Sequence, residues 1–169
     1  AAVGGTGFAK VGGNYAGGMR ATKKALENGC KEVLWLDAHE HKYVEEVGTS
    51  NAFFMIGDEV ITAPLGGSIL PGVTRDSTIT LLRKWGYKVS ERRLSIQEIE
   101  EASKNGSLQE AWATGTACVI SPIGYLRYMD RDIVIHGGGV GPVSQKLYDH
   151  IYGMQTGVVA DDMGWIVQL

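Results

Sequence analysis

Lys10 is the residue in this sequence best suited to nucleophilic chemistry. It stands in Gly4-Gly5-Thr6-Gly7-Phe8-Ala9-Lys10-Val11-Gly12-Gly13-Asn14-Tyr15-Ala16, one lysine among small residues with a tyrosine five positions on. Small neighbours leave room for a bulky group on the amine, and glycines let backbone approach it closely. A lysine in a confined apolar setting loses its charge more easily, as a Schiff-base nucleophile requires. The same run also reads as a glycine-rich turn carrying a solvated lysine. Two phosphate-loop patterns fail on it. A P-loop needs Gly before the lysine and Ser or Thr after it, where Ala9 and Val11 stand. A dinucleotide G-x-G-x-x-G starting at Gly5 would need glycine at position 10, which is the lysine itself.

Two further stretches have the makings of anion sites. Pro64-Leu65-Gly66-Gly67-Ser68-Ile69-Leu70-Pro71-Gly72-Val73-Thr74-Arg75-Asp76-Ser77 opens a helix, where free amides at Val73 and Thr74 would form a phosphate cradle. On this segment alone an ordinary helix start with Thr74 as N-cap is the simpler reading. Gly115-Thr116, between two apolar strands, would expose amides and a hydroxyl to an anion. His39 and His41 read as a solvated turn, since no third metal ligand has recognisable spacing. His136-Gly137-Gly138-Gly139 copies an oxyanion run, but the sequence has no G-x-S-x-G elbow, so it reads as a flexible loop.

The elements that must position these residues follow from periodicity. A helix is expected from Tyr15 to about Asn28, stopped by Gly29. Strands are expected over 32–37, 43–47 and 51–56, then a hairpin at Gly57-Asp58 into 59–62. A helix to about Trp85, a strand over 88–93 and a short helix from Ser95 with Glu98 in capping-box spacing come next. Strands over 110–114 and 117–120, a hairpin around Met129-Asp130-Arg131-Asp132 and a helix over 142–155 complete the series. One domain of mixed α/β (α+β) character is the expected fold. The 24 glycines among 169 residues, about twice the usual share, point to backbone meeting ligand or turning sharply at many places. A net charge of −3 supplies no basic field, which excludes nucleic acid as a general partner. No apolar run reaches the ~18 residues of a membrane span. Cys30 and Cys118 form no C-x-x-C and fit a reduced compartment, the cytoplasm.

Five segments, in order, resemble the branched-chain amino acid aminotransferases of the fold-type-IV (D-amino acid aminotransferase-like) pyridoxal-phosphate enzymes. They are Lys10-Val11-Gly12-Gly13-Asn14-Tyr15, Val33-Leu34-Trp35-Leu36-Asp37, Glu45-Glu46-Val47-Gly48-Thr49-Ser50-Asn51, Ile69 through Ser77, and Gly115-Thr116-Ala117. The resemblance implies pyridoxal 5'-phosphate as cofactor and amino transfer from leucine, isoleucine or valine to 2-oxoglutarate, without a metal. It makes Lys10 the lysine that holds the cofactor covalently and shuttles the α-proton. Tyr15 would bond the cofactor's phenolic oxygen, and Glu46 would face the ring nitrogen, where a carboxylate favours the protonated, electron-accepting ring. As a lone residue, Glu46 beside Glu45 would be an ordinary strand charge. Val73, Thr74 and Thr116 would hold the phosphate, and the amides of Thr116 and Ala117 the substrate carboxylate.

The resemblance further implies a homodimer, and it reads residues 1–169 as most of the large cofactor-binding domain. Family members add a smaller upstream domain and the first part of the large one, with side-chain pocket residues and a phosphate-binding arginine. Ala52 departs from a larger apolar residue in the family. Ser121 stands where some eukaryotic members complete a redox C-x-x-C begun at Cys118. A D-amino acid aminotransferase or an aminodeoxychorismate lyase shares the fold, but the Leu34-Trp35-Leu36-Asp37 and Gly115-Thr116-Ala117 runs argue against both. A non-catalytic remnant that binds an anion or a protein is the alternative of another class, and Lys10, Tyr15 and Glu46 together argue against it.

Overall fold

The computed structural model describes residues 1–167. Its sheet is built around β3 (Ser50–Ile56), whose two phenylalanines point to opposite faces and each meet a core. One edge of β3 pairs along its length with β6 (Leu108–Gly115), placing Asn51 opposite Thr114 and Phe53 opposite Trp112. The other edge is shared. β2 (Val44–Val47) takes the first end, with Glu46 opposite Asn51, and β4 (Glu59–Thr62) takes the far end, with Phe53 opposite Thr62. β1 (Leu34–Leu36) extends the sheet beyond β2, and β7 (Val119–Pro122) beyond β6. β5 (Lys88–Glu91) lies parallel to β4; the other pairings are antiparallel.

Helices α3 (Val73–Lys84) and α5 (Pro142–Gln155) cover one face. There Phe53 and Trp112 stack at 5.6 Å against Leu81, Leu82, Leu147 and Ile151. Helix α4 (Ile96–Lys104) and the hairpin of β8 (Tyr125–Tyr128) and β9 (Arg131–Val134) cover the other, where Phe54 meets Ile96, Ile99 and Ile133. Burying such side chains stabilises the fold by roughly 1.5–3 kcal/mol each. Ser95 caps α4 by accepting from the Glu98 amide at 3.1 Å, as its spacing predicts. Met129 and Asp130 take φ of 47° and 59°, the positive pair that a two-residue hairpin turn requires.

Two expectations change. The helix expected over 15–28 is two helices, α1 (Gly12–Ala16) and α2 (Met19–Glu27). Gly17 and Gly18 break it, and Gly18 lies against the Trp35 ring, where a Cβ would stand 3.1 Å from a ring carbon. The His136-Gly137-Gly138-Gly139 run, expected as a loop, forms a 3-10 turn over His136–Gly138. Gly124 packs so closely on Gly138 that a Cβ there would lie 2.6 Å from its carbonyl oxygen. Among the described residues, no helix is long and apolar enough to cross a membrane.

Candidate active site

Register alone gathers half of the site. At one end of the sheet Glu46, Asn51, Thr114 and Ile120 form a continuous row across β2, β3, β6 and β7. The next row brings Ser50 beside Gly115, where a Cβ would lie 3.0 Å from the Ser50 hydroxyl. Above it Thr116 and Ala117 are exposed in the turn from β6 to β7. Asp37 steers β2 into this arrangement. Its carboxylate accepts from the amides of Glu40, Lys42 and Tyr43 at 2.7, 2.9 and 2.8 Å, closing the turn that leads into the strand. Burial pushes its carboxyl up, but these amides together outweigh burial and hold it well below the usual carboxylate range.

Glu46 is half-buried, and its two oxygens differ. Oε1 accepts from the Leu70 amide and from Asn51 Nδ2, both at 3.2 Å. Oε2 makes no hydrogen bond among the described residues. Burial pushes the carboxyl up to about 7, against the lowering pull of the Leu70 amide, with Glu45 adding repulsion. Glu45 is turned elsewhere and accepts from the Ser68 hydroxyl.

Gly72, not Thr74, is the N-cap of α3, in extended conformation at φ −70° and ψ 137°. Among the described residues, no side chain caps the helix. Thr74 lies one residue inside the helix start, so its amide and that of Val73 belong to the uncapped first turn with the dipole behind them. The side chain of Val73 is 82% exposed, which leaves open space over that turn. Arg75 anchors the same turn from below. It is buried, donating to the Ala63 carbonyl at 2.8 Å and to Glu91 at 2.9 Å.

The Lys10 loop is held to this assembly by close backbone packing. A Cβ on Gly7 would lie 2.2 Å from the Ser68 carbonyl oxygen, so glycine is required where the loop crosses the segment leading to α3. Asn14 braces the loop internally, donating to the Thr6 and Ala9 carbonyls at 2.9 Å each and accepting from the Thr6 hydroxyl at 2.7 Å. Within that brace Lys10 is exposed, and Tyr15 is 44% exposed. The confined apolar setting expected for Lys10 is therefore not formed by the described residues, because its glycine and alanine neighbours are too small to wall it in. Neither the Lys10 nor the Tyr15 side chain is hydrogen-bonded to Glu46, Thr74 or Thr116 among the described residues.

Glu46, Thr74 and Thr116 are thus brought to one end of the fold, while the loop that carries Lys10 and Tyr15 is tied to the segment before α3 at Gly7 and Ser68. Asn51, Arg75 and Asn14 are the residues that a reading by chemical type passes over. Each sits inside a segment already singled out, next to a residue that draws more notice. A cavity of about 880 Å³ lies between α2, β1 and the β7–β8 connection, lined by Lys24, Cys30, Leu34, Cys118 and Tyr125. It borders the site through Val47, Thr49, Ser50, Ala113 and Cys118.

Residues 9–125 match the model of the family described as amino-transferase class IV. The chain is 51% identical over 169 residues to branched-chain-amino-acid aminotransferase 2 of Bacillus subtilis (strain 168), covering 100% of this chain and 47% of that protein. Its fold is similar to a crystal structure of the Escherichia coli branched-chain amino acid aminotransferase, with TM-score 0.83, 30% identity, and coverage of 99% of this chain and 53% of that one. A second Escherichia coli structure of the same enzyme gives TM-score 0.78, 32% identity, and coverage of 95% and 50%. It is also similar to a branched-chain amino acid aminotransferase solved with pyridoxamine 5'-phosphate, with TM-score 0.78, 32% identity, and coverage of 95% and 48%. The chain spans about half the length of the curated relatives it matches.

Proposed function

This chain belongs to the amino-transferase class IV family, and from that premise we propose that it is the cofactor-binding part of a branched-chain aminotransferase. The reaction is reversible transfer of the amino group of leucine, isoleucine or valine to 2-oxoglutarate, with pyridoxal 5'-phosphate as cofactor. The observation that carries this reading is the Glu46 carboxylate, with Oε1 tied into the fold and Oε2 left without a partner among the described residues. A group that titrates near neutrality beside an uncapped helix start suits a ligand carrying a basic ring nitrogen and a phosphate. The donor set therefore fits pyridoxal phosphate, which when bound supplies the electron sink for the amino acid's α-carbon.

Each residue then has a defined task. Lys10 Nζ holds the cofactor covalently and moves the α-proton. The Tyr15 hydroxyl donates to the cofactor's phenolic oxygen, and Glu46 Oε2 keeps a proton on the ring nitrogen. The Val73 and Thr74 amides hold the phosphate with the Thr116 hydroxyl, and the Thr116 and Ala117 amides hold the substrate carboxylate. The relatives' identity supports branched-chain substrates over the other reactions of this fold. We place residues 1–169 in one domain, the larger of two in the whole enzyme. Exposed Val3, Phe8, Val11 and Met19 around the lysine loop support coverage by further protein. That fits a homodimer, which we assign to the cytoplasm.

Borohydride reduction of the cofactor-loaded full-length protein, followed by peptide mass mapping, tests the assignment. The pyridoxyl group is expected on Lys10. Label on Lys23, Lys24 or another lysine, or no turnover of leucine with 2-oxoglutarate by the full-length protein, overturns it.

A further inference from the structure

Asn51 touches three parts of the site, although nothing in its chemistry marks it for catalysis. It is 5% exposed, at the start of β3. Its Nδ2 donates to the Leu70 carbonyl at 2.9 Å and to Glu46 Oε1 at 3.2 Å. The Leu70 amide donates to that same Oε1 at 3.2 Å, so Glu46, Asn51 and Leu70 close a small ring of hydrogen bonds. On its other side Oδ1 fills the place of a Gly72 side chain, where a Cβ would lie 2.3 Å away. Gly72 is the N-cap of α3.

We propose that Asn51 is a positioning residue that locks Glu46 Oε1 and the start of α3 into one unit. Oε2 is thereby aimed outward at a fixed offset from the Val73 and Thr74 amides. The proposal rests on the functional reading above. Its physical basis is that a carboxylate with one oxygen bonded twice has a single orientation, whereas a half-buried carboxylate without those donors rotates among several. An amide is the side chain that suits this place. It offers a donor to a carboxylate and a carbonyl at once, and its remaining oxygen adds no charge. An aspartate would set a second carboxylate against Glu46 and a lone pair against the Leu70 carbonyl. A leucine would match the volume while removing both donations.

The charged side chain facing Glu46 is Glu45. Losing the Asn51 donor removes a contact that favours the ionised form, so the Glu46 midpoint must move upward. The experiment uses the full-length protein free of cofactor, labelled with ¹³C at the glutamate carboxyl carbon, the Glu46 signal being assigned from Glu46→Gln. Asn51→Leu is expected to raise the midpoint by about one pH unit, and Asn51→Asp by more. Gly72→Ala, which leaves Asn51 in place but pushes on its oxygen, is expected to shift it in the same direction. In the loaded enzyme, Asn51→Leu is expected to weaken pyridoxal phosphate binding about tenfold, since ring and phosphate sites no longer hold one spacing.

An unchanged Glu46 midpoint in folded Asn51→Leu overturns the proposal. If that variant does not fold, Gly72→Ala decides it by the same measurement. Failure of the wild type to bind pyridoxal phosphate overturns the functional reading instead, and the cofactor-free titration still decides the role of Asn51.

Discussion

Burial pushes the Glu46 carboxyl from 4.5 up to about 7, so folding and chemistry place opposite demands on it. Between those two pH values the folded protein retains a proton that the unfolded chain has released. The stabilisation from protonated Glu46 is complete below the unfolded value and is lost as pH rises through the folded one. Glu46→Gln removes this dependence. Without cofactor, the variant is expected to gain on the wild type progressively across that window. Above it the gain reaches on the order of 1–2 kcal/mol, the half-exposed setting weakening the full effect. Urea denaturation at a series of pH values measures it, and a difference that stays flat would refute the burial account. In the full-length enzyme the same change is expected to lower turnover ~10²-fold or more, because a neutral amide cannot favour a protonated ring nitrogen. A more stable but much slower enzyme is the expected signature of a residue kept for its chemistry.

At the next scale, β6 links the site to the helix layer. One end of the strand carries Thr114 and Gly115, and near the other end Glu110 caps α5 from outside the helix. Its two oxygens accept from the Val143 and Ser144 amides at 2.9 Å each, and all three residues are buried. Gly141 is required there, since a Cβ would stand 2.0 Å from the Glu110 carboxyl carbon. Cross-strand capping of this kind is stronger than a local serine cap because it is charge-assisted and shielded from water. Glu110→Leu leaves two buried amides unpaired and is expected to cost about 3 kcal/mol, with Glu110→Gln costing about 1 kcal/mol. Equilibrium unfolding in urea checks both values. Equal losses in the two variants would mean that packing, not the paired acceptors, holds the helix. The Glu46 midpoint is expected to stay where it is in Glu110→Gln, since α5 lies outside the hydrogen-bonded ring around Asn51.

Taken as a whole, the chain offers two candidate anion sites, the Glu46 carboxylate and a lysine loop, but leaves Lys10 and Tyr15 exposed. Pockets that bury most of a ligand commonly form between domains, and carbanion chemistry needs water kept away. Residues 1–169 expressed alone are therefore expected to bind pyridoxal phosphate weakly and to show little transamination, whereas the full-length protein is expected to turn over leucine with 2-oxoglutarate. Absorbance titration with the cofactor and a coupled glutamate assay test both halves of this expectation. Robust turnover by the isolated chain would show that the rest of the relatives' length is dispensable to the chemistry.

The sequence by itself determined the order of elements and the chemical types at the site. Both are local properties. Ser95 and Glu98 specify a cap within one turn, and Gly57-Asp58 specifies a hairpin. The family motifs were legible for the same reason, each being a short run. The break at Gly17-Gly18 was not, because glycine permits a helix interruption without requiring one; the Trp35 ring against Gly18 decided it. The exposure of Lys10 was likewise a tertiary outcome, since small neighbours leave space that only distant chain can fill. The bonds that give Glu46 one bound and one unbonded oxygen join residues far apart, Leu70 lying 24 positions away. Asn51 reaches Leu70 across 19 positions, and Glu110 reaches Val143 across 33. No local propensity encodes such pairings, because they come into existence only when sheet register and helix packing bring the partners within about 3 Å of each other.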